Sequence, residues 1–284
     1  MKILITGANG MLGHEVQKTL KNEHELICAD VAELDITNKD KVIEYVTNLK
    51  PDYIVNCAAY TAVDAAEDNY DAAKKVNADG PTNLAIAAKM ADSILIQIST
   101  DYVFDGEKDV AESYKEDEKM GPVTVYGSTK ADGEKGVEEN CDKYYIFRTA
   151  WLYGVSGKNF IKTMLRLGKE RDEVNVVNDQ HGSPTYAVDL ASIIKQAIDK
   201  KIPYGIYHTT NQGFTTWYEF TKMIFNLANI DCKVNPVTSE EFASKAKRPK
   251  NSQLSKDKIL AQGIVIPTYE DGLKRYLEEE LNQE

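Results

Sequence analysis

The first half of the chain alternates short apolar runs with longer segments of helical character. Five runs rich in β-branched and aromatic residues predict buried strands, at residues 2–6, 25–30, 52–59, 93–100 and 143–151. Helix-like segments separate them, as at residues 72–91. Continuous apolar strands joined by helices are typical of a parallel sheet that is covered on both faces. The pattern therefore predicts an α/β fold with a doubly wound, Rossmann-like parallel sheet.

The pattern loosens in the second half of the chain. It predicts two more strands, near residues 173–179 and 205–211. We divide the chain into a first domain, residues 1–150, and a smaller C-terminal lobe, mainly residues 151–284, which is expected to close over the carboxyl edge of the sheet and bind substrate. Because such lobes often interleave in sequence, the two later strands are candidates for returning to the first domain.

The net charge of the chain limits the classes of molecule that it is expected to bind. The 45 acidic and 34 basic residues give a formal charge of -11, which repels phosphate backbones and anionic lipid, so neither nucleic acid nor membrane is an expected partner. No apolar run is long enough to span a bilayer, and Met1 leads directly into the first strand without a signal-type segment. We therefore expect a cytoplasmic protein.

The four cysteines form no CxxC pair, which argues against a zinc site and against a disulfide framework. Cys28, Cys57, Cys141 and Cys232 are all expected to be buried thiols, with Cys28 and Cys57 inside predicted strands.

A glycine-rich turn, TGANGMLG, follows the first strand and opens a helix. Gly7 permits the tight turn, Gly10 lets backbone approach a pyrophosphate, and Gly13 allows close packing of helix on strand. The N–H groups at the positive end of the helix can then bind phosphate. In this context of strand, helix and second strand, the turn predicts a dinucleotide cofactor, which makes the first domain a dinucleotide-binding domain.

The second strand ends at Asp30, seventeen residues beyond Gly13. A carboxylate at this position can accept hydrogen bonds from the adenosine ribose and would repel a 2′-phosphate. The sequence therefore favours NADH as the preferred cofactor, with NADPH as the alternative. Asp35 is a candidate contact for the adenine amino group.

Tyr126 and Lys130 stand four residues apart in a polar, helix-like segment, so their side chains share one face. A nearby cation can lower the pKa of an acid by about 1 to 3 units, which would make the phenol a proton donor near neutral pH. Lys130 could also hold the nicotinamide ribose. Ser99 and Thr100 end a predicted strand, where a hydroxyl could hydrogen-bond a substrate carbonyl. These residues predict carbonyl reduction.

Two further residues are candidates for binding substrate. Trp151 follows a predicted strand at its carboxyl end, where its ring could pack on a sugar or a base, or could instead belong to the core. Arg248 lies in a basic run of an otherwise acidic chain and could grip a diphosphate as a fork, or could belong to a solvated loop.

Seven motifs follow one another along the chain: TGANGMLG, NCAAYTAVDAAE, STDYVFDG, YGSTKADGE, FRTAWLYG, NDQHGSPT and RPKNSQL. Their order resembles that of the dTDP-4-dehydrorhamnose reductases, a branch of the extended short-chain dehydrogenase/reductases, over nearly the whole chain. The resemblance implies NAD(P)H-dependent reduction of the 4-keto group of dTDP-4-dehydro-L-rhamnose to dTDP-L-rhamnose, a nucleotide-sugar used in polysaccharide biosynthesis.

The resemblance also implies roles for single residues. It matches Thr100, Tyr126 and Lys130 to the catalytic triad. It matches three further groups: the phosphate-binding turn and adenosine contacts (Gly10, Met11, Leu12, Asp30, Asp35, Ile36), the loop after the third strand (Ala59, Tyr60, Thr61), and substrate contacts (Asp101, Trp151). Some family members bind magnesium at a dimer interface. A homodimer is therefore an expectation, but Val188 stands where Glu15 would need an acidic partner, so no metal is predicted.

Other functions are compatible with the same fold. A nucleotide-sugar dehydratase typically carries an Asp-Glu pair after the catalytic Thr, whereas Tyr102 stands here in place of the Glu. Another nucleotide-sugar reductase or an epimerase of the same superfamily would use a similar site. A non-enzymatic regulatory subunit, of the kind that accompanies methionine adenosyltransferase, is the third alternative, and the complete set of Thr100, Tyr126 and Lys130 favours an enzyme over it.

Overall fold

A computed structural model of the chain describes residues 1–281. In chain order, its strands are β1 (Lys2–Thr6), β2 (Glu25–Ala29), β3 (Tyr53–Asn56), β4 (Ile94–Thr100), β5 (Tyr144–Thr149), β6 (Leu152–Tyr153), β7 (Glu173–Val177), β8 (His181–Gly182), β9 (Thr185–Tyr186), β10 (Gly205–His208), β11 (Thr215–Thr216) and β12 (Lys233–Val237).

The α-helices are α1 (Met11–Leu20), α2 (Lys39–Leu49), α3 (Val63–Ala66), α4 (Tyr70–Lys74), α5 (Gly80–Ala91), α6 (Val125–Asn140), α7 (Phe160–Glu170), α8 (Ala187–Lys200), α9 (Trp217–Leu227), α10 (Ser239–Phe242), α11 (Asp257–Leu260) and α12 (Tyr269–Leu281). A π-helical turn, Lys75–Asp79, joins α4 to α5, and a 3-10 turn, Asp101–Val103, follows β4.

Six strands form a parallel sheet in the order β2-β1-β3-β4-β5-β10. The predicted doubly wound fold is confirmed. The strand order reverses at β1, since β2 lies on one side of it and β3 on the other. Loops after β1 and β3 therefore diverge at the carboxyl edge and leave a crevice between them, which is where open α/β sheets bind ligands.

Helices cover both faces of the sheet. On one face, α1 and α8 pack Leu12, Val16 and Ile194 against Ile3 and Ile5 of β1. On the other face, α2, α5 and α6 bury their apolar residues with Leu4 and the neighbouring strands. Each strand of the sheet's centre is therefore apolar on both sides, which explains the continuous rather than alternating runs in the sequence.

The helical segment predicted at residues 72–91 is interrupted in the structure. The π-helical turn Lys75–Asp79 divides it into α4 and α5. The turn buries Asn77, which is 1% exposed, on the side of α6. A π-turn inserts one residue into a helix and is frequent at functional sites.

The C-terminal lobe forms a second apolar cluster around α7, α9 and α12. Strand β7, in the stretch 173–179 that was a candidate for the first domain, pairs instead with β12. Strand β10, in the stretch 205–211, pairs with β5 at the edge of the main sheet. The pattern analysis missed β12 because it is short, contains Pro236 and has no fully buried residue.

The expectation of buried thiols is confirmed for Cys141 and Cys232. It was wrong for Cys28, which is exposed because β2 is an edge strand of the sheet, and Cys57 is half-buried and lies just after β3. Across residues 1–281, no helix combines the length and apolarity needed to cross a membrane.

A buried ion pair ties α6 to the sheet. The guanidinium of Arg148 donates two hydrogen bonds to Glu134, from Nε to Oε1 at 2.9 Å and from Nη2 to Oε2 at 2.7 Å. Both side chains are essentially inaccessible to solvent. A bidentate pair of this kind sets the distance and angle between β5 and α6, the helix that carries Tyr126 and Lys130.

We expect Arg148→Met to lower the free energy of unfolding by roughly 3 to 5 kcal/mol, because it leaves the Glu134 carboxylate buried without a counter-charge. Urea unfolding followed by circular dichroism measures the change. The matched control is Arg166→Met, which breaks the exposed pair of Arg166 with Glu170 and should cost less than about 1 kcal/mol. Similar losses in the two variants would contradict the structural role of the buried pair.

Candidate active site

A cleft of about 780 Å³ opens at the carboxyl edge of the sheet, with walls from both the sheet loops and the C-terminal lobe. It brings together most of the residues singled out by sequence: Gly10, Met11, Leu12, Ala59, Thr61, Thr100, Asp101, Tyr126, Lys130, Trp151 and Arg248. The others, Gly7, Gly13, Asp30, Asp35, Ile36 and Tyr60, lie behind or beside this lining.

The glycine-rich turn has the geometry of a phosphate cradle. Gly7 has a φ of +64°, and a Cβ on it would lie 2.5 Å from the backbone nitrogen of Ala58, so no other residue fits. A Cβ on Gly13 would collide with the carbonyl of Gly7. No side chain caps the N-terminus of α1 at Gly10. The first N–H groups of α1 are therefore left for an anion, and the turn fits the pyrophosphate of a dinucleotide.

Asp30 lies beside the glycine turn at the end of β2. Its Oδ2 accepts a hydrogen bond from the N–H of Asn9 at 3.0 Å, and its Oδ1 accepts one from the N–H of Val31 at 2.8 Å. Each carboxylate oxygen keeps a lone pair, so the group can still accept bonds from ribose hydroxyls. Asp35 accepts two bonds from Thr37, and Ile36 is buried in the core next to it.

The loop after β3 is held by Asn77, a residue that the motif analysis did not single out. Its amide accepts from the N–H of Tyr60 at 2.8 Å and donates to the carbonyl of Tyr60 at 3.1 Å. It also donates to the hydroxyl of Thr129 on α6 at 3.2 Å. One buried amide thus fixes the loop of Ala59, Tyr60 and Thr61 to the helix that carries Tyr126.

Tyr126 and Lys130 lie on α6, whose N-terminus is capped by Thr124. The expected shared face is observed, and both residues line the cleft. The ammonium of Lys130 is buried and donates to the carbonyl of Ile98 at 2.6 Å. Burial lowers the pKa of Lys130 to about 8, while Glu134 opposes this shift.

The expected lowering of the tyrosine pKa is not seen. Burial raises the pKa of Tyr126 to about 12; hydrogen bonding with Thr100 partly offsets the rise and the carboxylate of Asp101 adds to it. Desolvation of the phenolate outweighs any attraction to Lys130, whose ammonium is bonded to Ile98. Tyr126 therefore keeps its proton at neutral pH in this structure.

A buried hydrogen-bond ladder leads from the glycine turn to Lys130. The hydroxyl of Thr6 donates to Asn56 at 2.7 Å, and Asn56 donates to Gln97 at 2.7 Å. Gln97 in turn donates to the carbonyl of Ile98 at 2.7 Å, the same carbonyl that accepts from Lys130. Sequence analysis missed Asn56, which ends the otherwise apolar β3, and Gln97, which lies between apolar residues of β4. A polar side chain in a strand predicted to be buried is the signal that could have found them.

Thr100 and Asp101 end β4 at the floor of the cleft. The hydroxyl of Thr100 donates to Oδ1 of Asp101 at 2.9 Å, whereas that of Ser99 points to Glu134 instead, at 2.5 Å. Asp101 is 2% exposed, and burial raises its pKa to about 6. Its Oδ2 makes no hydrogen bond of good geometry within residues 1–281, although Ser252 lies close enough to Asp101 to oppose the rise in its pKa. The cleft therefore contains an acceptor suited to a substrate hydroxyl.

Arg248 lines the cleft, but its fork is already engaged. Its two terminal nitrogens donate to the carboxylate of Asp64 at 3.0 and 2.9 Å. Hydrogen bonding from Arg248 lowers the pKa of Asp64 to about 2. Lys245 and Lys247 of the same run are paired with Asp68 and Glu107. The basic run is thus largely neutralised within the fold.

Trp151 lies at the junction of the two lobes. Its ring stacks on that of Trp217, with centroids 3.6 Å apart and planes inclined by 11°. Its backbone has a φ of 47°, which is strained for a tryptophan. The ring lines the cleft, but Trp217 already covers one of its faces.

Candidate metal ligands are sparse in the part of the chain that the structure describes. Glu15 pairs with Lys18 at 2.9 Å. One group, Glu23, His24 and Asp199, has ligand atoms within 4.8 Å of one another. An ammonium already bridges its two carboxylates, because Lys195 donates to Glu23 at 2.6 Å and to Asp199 at 2.7 Å.

The chain is similar to proteins of known family over its whole length. The model of the family described as the RmlD substrate binding domain matches residues 1–282. A curated relative named dTDP-4-dehydrorhamnose reductase, from Aggregatibacter actinomycetemcomitans, is 43% identical over 288 residues, which cover 96% of this chain and 97% of the relative.

Solved structures agree with these matches. A dTDP-4-dehydrorhamnose reductase from Clostridium acetobutylicum is 50% identical, with a TM-score of 0.96 and 100% of both chains covered. One from Bacillus anthracis, in complex with NADP, is 44% identical with a TM-score of 0.94, covering 98% of this chain and 99% of that chain.

We expect Lys130→Met to stabilise the enzyme at pH 7 in the absence of cofactor. The folded-state pKa of Lys130, about 8, lies below the ordinary 10.5, so keeping this side chain buried and charged opposes folding. This cost is fully present below pH 8 and disappears as the pH rises toward 10.5. A shift of this size corresponds to about 2 to 4 kcal/mol.

Urea unfolding of wild type and Lys130→Met at pH 7 and at pH 9.5 tests this expectation. The stability difference between the two proteins should shrink at the higher pH, and a difference that does not change with pH would contradict it. Ile98 keeps its bond from Gln97 in the variant, so no acceptor is left unpaired.

Proposed function

Because the chain belongs to the dTDP-4-dehydrorhamnose reductase family, we propose that it reduces the 4-keto group of dTDP-4-dehydro-L-rhamnose to give dTDP-L-rhamnose. One observation carries the proposal: Thr100, Tyr126 and Lys130 line the same cleft as the uncapped helix N-terminus at Gly10. A proton donor and a dinucleotide cradle thus share a single cavity, as carbonyl reduction requires.

The cofactor is a nicotinamide dinucleotide, which when bound supplies the hydride for the carbonyl carbon. We assign its pyrophosphate to the turn of Gly7, Gly10 and Gly13 with Met11 and Leu12. We assign its adenosine to Asp30, Asp35 and Ile36. The loop of Ala59, Tyr60 and Thr61, held by Asn77, forms the adjoining wall.

Tyr126 is the proton donor in this proposal. A phenol with a pKa of about 12 is protonated at pH 7, which is the form that reduction needs. Thr100 orients the substrate carbonyl, while the ammonium of Lys130 stabilises the phenolate that proton transfer leaves behind. Lys130 uses one of its three donors on Ile98, and the others remain for the phenolate and the nicotinamide ribose.

The residue after Asp101 favours reduction over dehydration. Tyr102 stands where a dehydratase would carry its second acid, and its ring packs edge-on against Tyr126 with centroids 5.4 Å apart. Burial raises the pKa of Tyr102 well above its ordinary value, so this phenol cannot replace a carboxylate as an acid–base group near neutral pH.

Substrate binding is assigned to Asp101, Trp151 and Arg248. The unpartnered Oδ2 of Asp101 would accept a sugar hydroxyl, and the exposed part of Trp151 would pack on the sugar. Arg248 would bind the diphosphate by exchanging Asp64 for a phosphate. NADH as the preferred cofactor, a homodimer and a cytoplasmic location stay predictions; the B. anthracis relative was solved with NADP.

We expect Tyr126→Phe to lower turnover at least about a hundredfold, because it removes the proton donor while leaving the ring in place. NADH oxidation with dTDP-4-dehydro-L-rhamnose measures the rate, and fluorescence titration should show unchanged NADH affinity. The control is Tyr204→Phe, which alters an exposed tyrosine outside the cleft and should behave as wild type. Turnover near the wild-type value in Tyr126→Phe would remove this residue from the mechanism.

Asp30→Ala should shift the ratio of kcat/KM for NADH to that for NADPH roughly tenfold toward NADPH, equivalent to about 1.4 kcal/mol. The reason is that the carboxylate accepts bonds from the ribose of NADH and repels the 2′-phosphate of NADPH. Asp35→Ala is the matched control, since the adenine that it is assigned to is common to both cofactors. An unchanged ratio in Asp30→Ala would show that Asp30 does not discriminate between them.

A further inference from the structure

Phe242 is the one large apolar side chain among the described residues of the cleft lining that is exposed, at 58%. Single exposed apolar residues are ordinary on protein surfaces, so exposure alone says little. Phe242 differs from the other exposed apolar residues in two respects: it lies in the proposed substrate cleft, and the turn that carries it is anchored there.

Polar contacts rather than burial hold Phe242 in place. It ends the short helix α10, whose start is closed by a capping box: Thr238 accepts from the N–H of Glu241, and Glu241 accepts from the N–H of Thr238. The next residue, Ala243, has a φ of 49° and turns the chain away. The phenyl ring is thus presented on a defined turn.

The same turn is anchored to the cleft wall. Asp179 accepts from both the N–H and the hydroxyl of Ser239, at 3.0 and 2.7 Å. Gln180, which is 5% exposed and lines the cleft, donates to the hydroxyl of Ser239 at 2.9 Å. These bonds tie the short helix that carries Phe242 to the wall of the cavity.

Exposure separates residues at the floor of the cleft from those near its mouth. Thr100, at the reacting end, is 4% exposed. The side chain of Arg248, assigned to the diphosphate, is 26% exposed, and Phe242 is 58% exposed. A nucleotide-sugar that places its sugar at Thr100 and its diphosphate at Arg248 would extend its base toward the solvent-exposed part of the lining, which includes Phe242.

We propose that Phe242 is the stacking platform for the nucleobase of the nucleotide-sugar substrate. The proposal rests on the proposed function, because it takes the substrate to be a nucleoside diphosphate sugar. The other aromatic candidate is less suited, since Trp151 is already stacked on Trp217 at 3.6 Å. Stacking on a ring tolerates every base, so Phe242 contributes affinity for a base and leaves the choice among bases to other groups.

Isothermal titration calorimetry with saturating NAD⁺ tests the platform with two probes, dTDP and inorganic pyrophosphate, which lacks the base. We expect Phe242→Ala and Phe242→Leu to weaken dTDP binding about tenfold and to leave pyrophosphate binding unchanged. Phe242→Tyr should bind dTDP as wild type does, because it keeps the ring. Phe214→Ala is the matched control: this phenylalanine is 42% exposed but lies outside the cleft, and its loss should alter neither probe.

The outcomes separate the platform from the proposed function. Wild-type affinity for dTDP in Phe242→Ala and Phe242→Leu overturns the platform. Equal weakening of dTDP and pyrophosphate also overturns it, because the ring would then support the Arg248 segment rather than a base. Failure of wild type to bind dTDP, together with Phe242-dependent binding of UDP or GDP, overturns the dTDP-sugar assignment and supports the platform. In steady-state kinetics, Phe242→Ala should raise KM for the nucleotide-sugar about tenfold at unchanged kcat.

Discussion

The site depends on a row of buried hydrogen bonds that crosses the sheet beneath it. Thr6, Asn56 and Gln97 are each 2% exposed or less, and they link β1, β3 and β4 at the ends that face the cleft. Buried polar groups are costly unless they are paired, so the strands can adopt this register only with all three side chains in contact. The row ends at the carbonyl that holds Lys130. The strand before the glycine turn and the side chain of Lys130 are therefore linked by one continuous set of bonds.

Two charged groups of the site are buried without a full set of partners, which lowers the stability of the fold. Lys130 is buried without a carboxylate bonded to it, and Asp101 is a buried carboxylate with an unpaired oxygen. Arg148 and Glu134, by contrast, form a buried bidentate pair, and the remaining bonds of the two groups go to the carbonyl of Glu116 and the hydroxyl of Ser99. Paired buried charges stabilise the scaffold, whereas incompletely paired ones are typical of groups that bind ligands.

The sequence was sufficient for the fold and for bringing many of the singled-out residues into one cleft, because both follow from local patterns. Continuous apolar strands imply a two-sided parallel sheet, and the i, i+4 spacing of Tyr126 and Lys130 implies a shared face. It was not sufficient for properties set by distant neighbours. The direction of the pKa shift of Tyr126 depends on its burial in the folded chain, and the pairing of Arg248 with Asp64 joins residues far apart in the chain. Strand β7 was mistaken as a candidate for the main sheet because its partner, β12, has no apolar pattern.

The pairing of Arg248 with Asp64 has a consequence for how the enzyme discriminates between anions. Asp64 is tethered beside the guanidinium, and it also accepts from the N–H of Ala246 at 3.0 Å. The Asp64 carboxylate therefore competes with free anions for Arg248 at a high effective concentration. Chloride or a single phosphate would have to displace it without gaining any other contact. A ligand that is also bound elsewhere, for example through a sugar at the floor of the cleft, can displace the Asp64 carboxylate. If Arg248 binds the diphosphate as proposed, the internal carboxylate would thus act as a filter, which rejects small anions and releases the guanidinium to a ligand that spans the whole cleft.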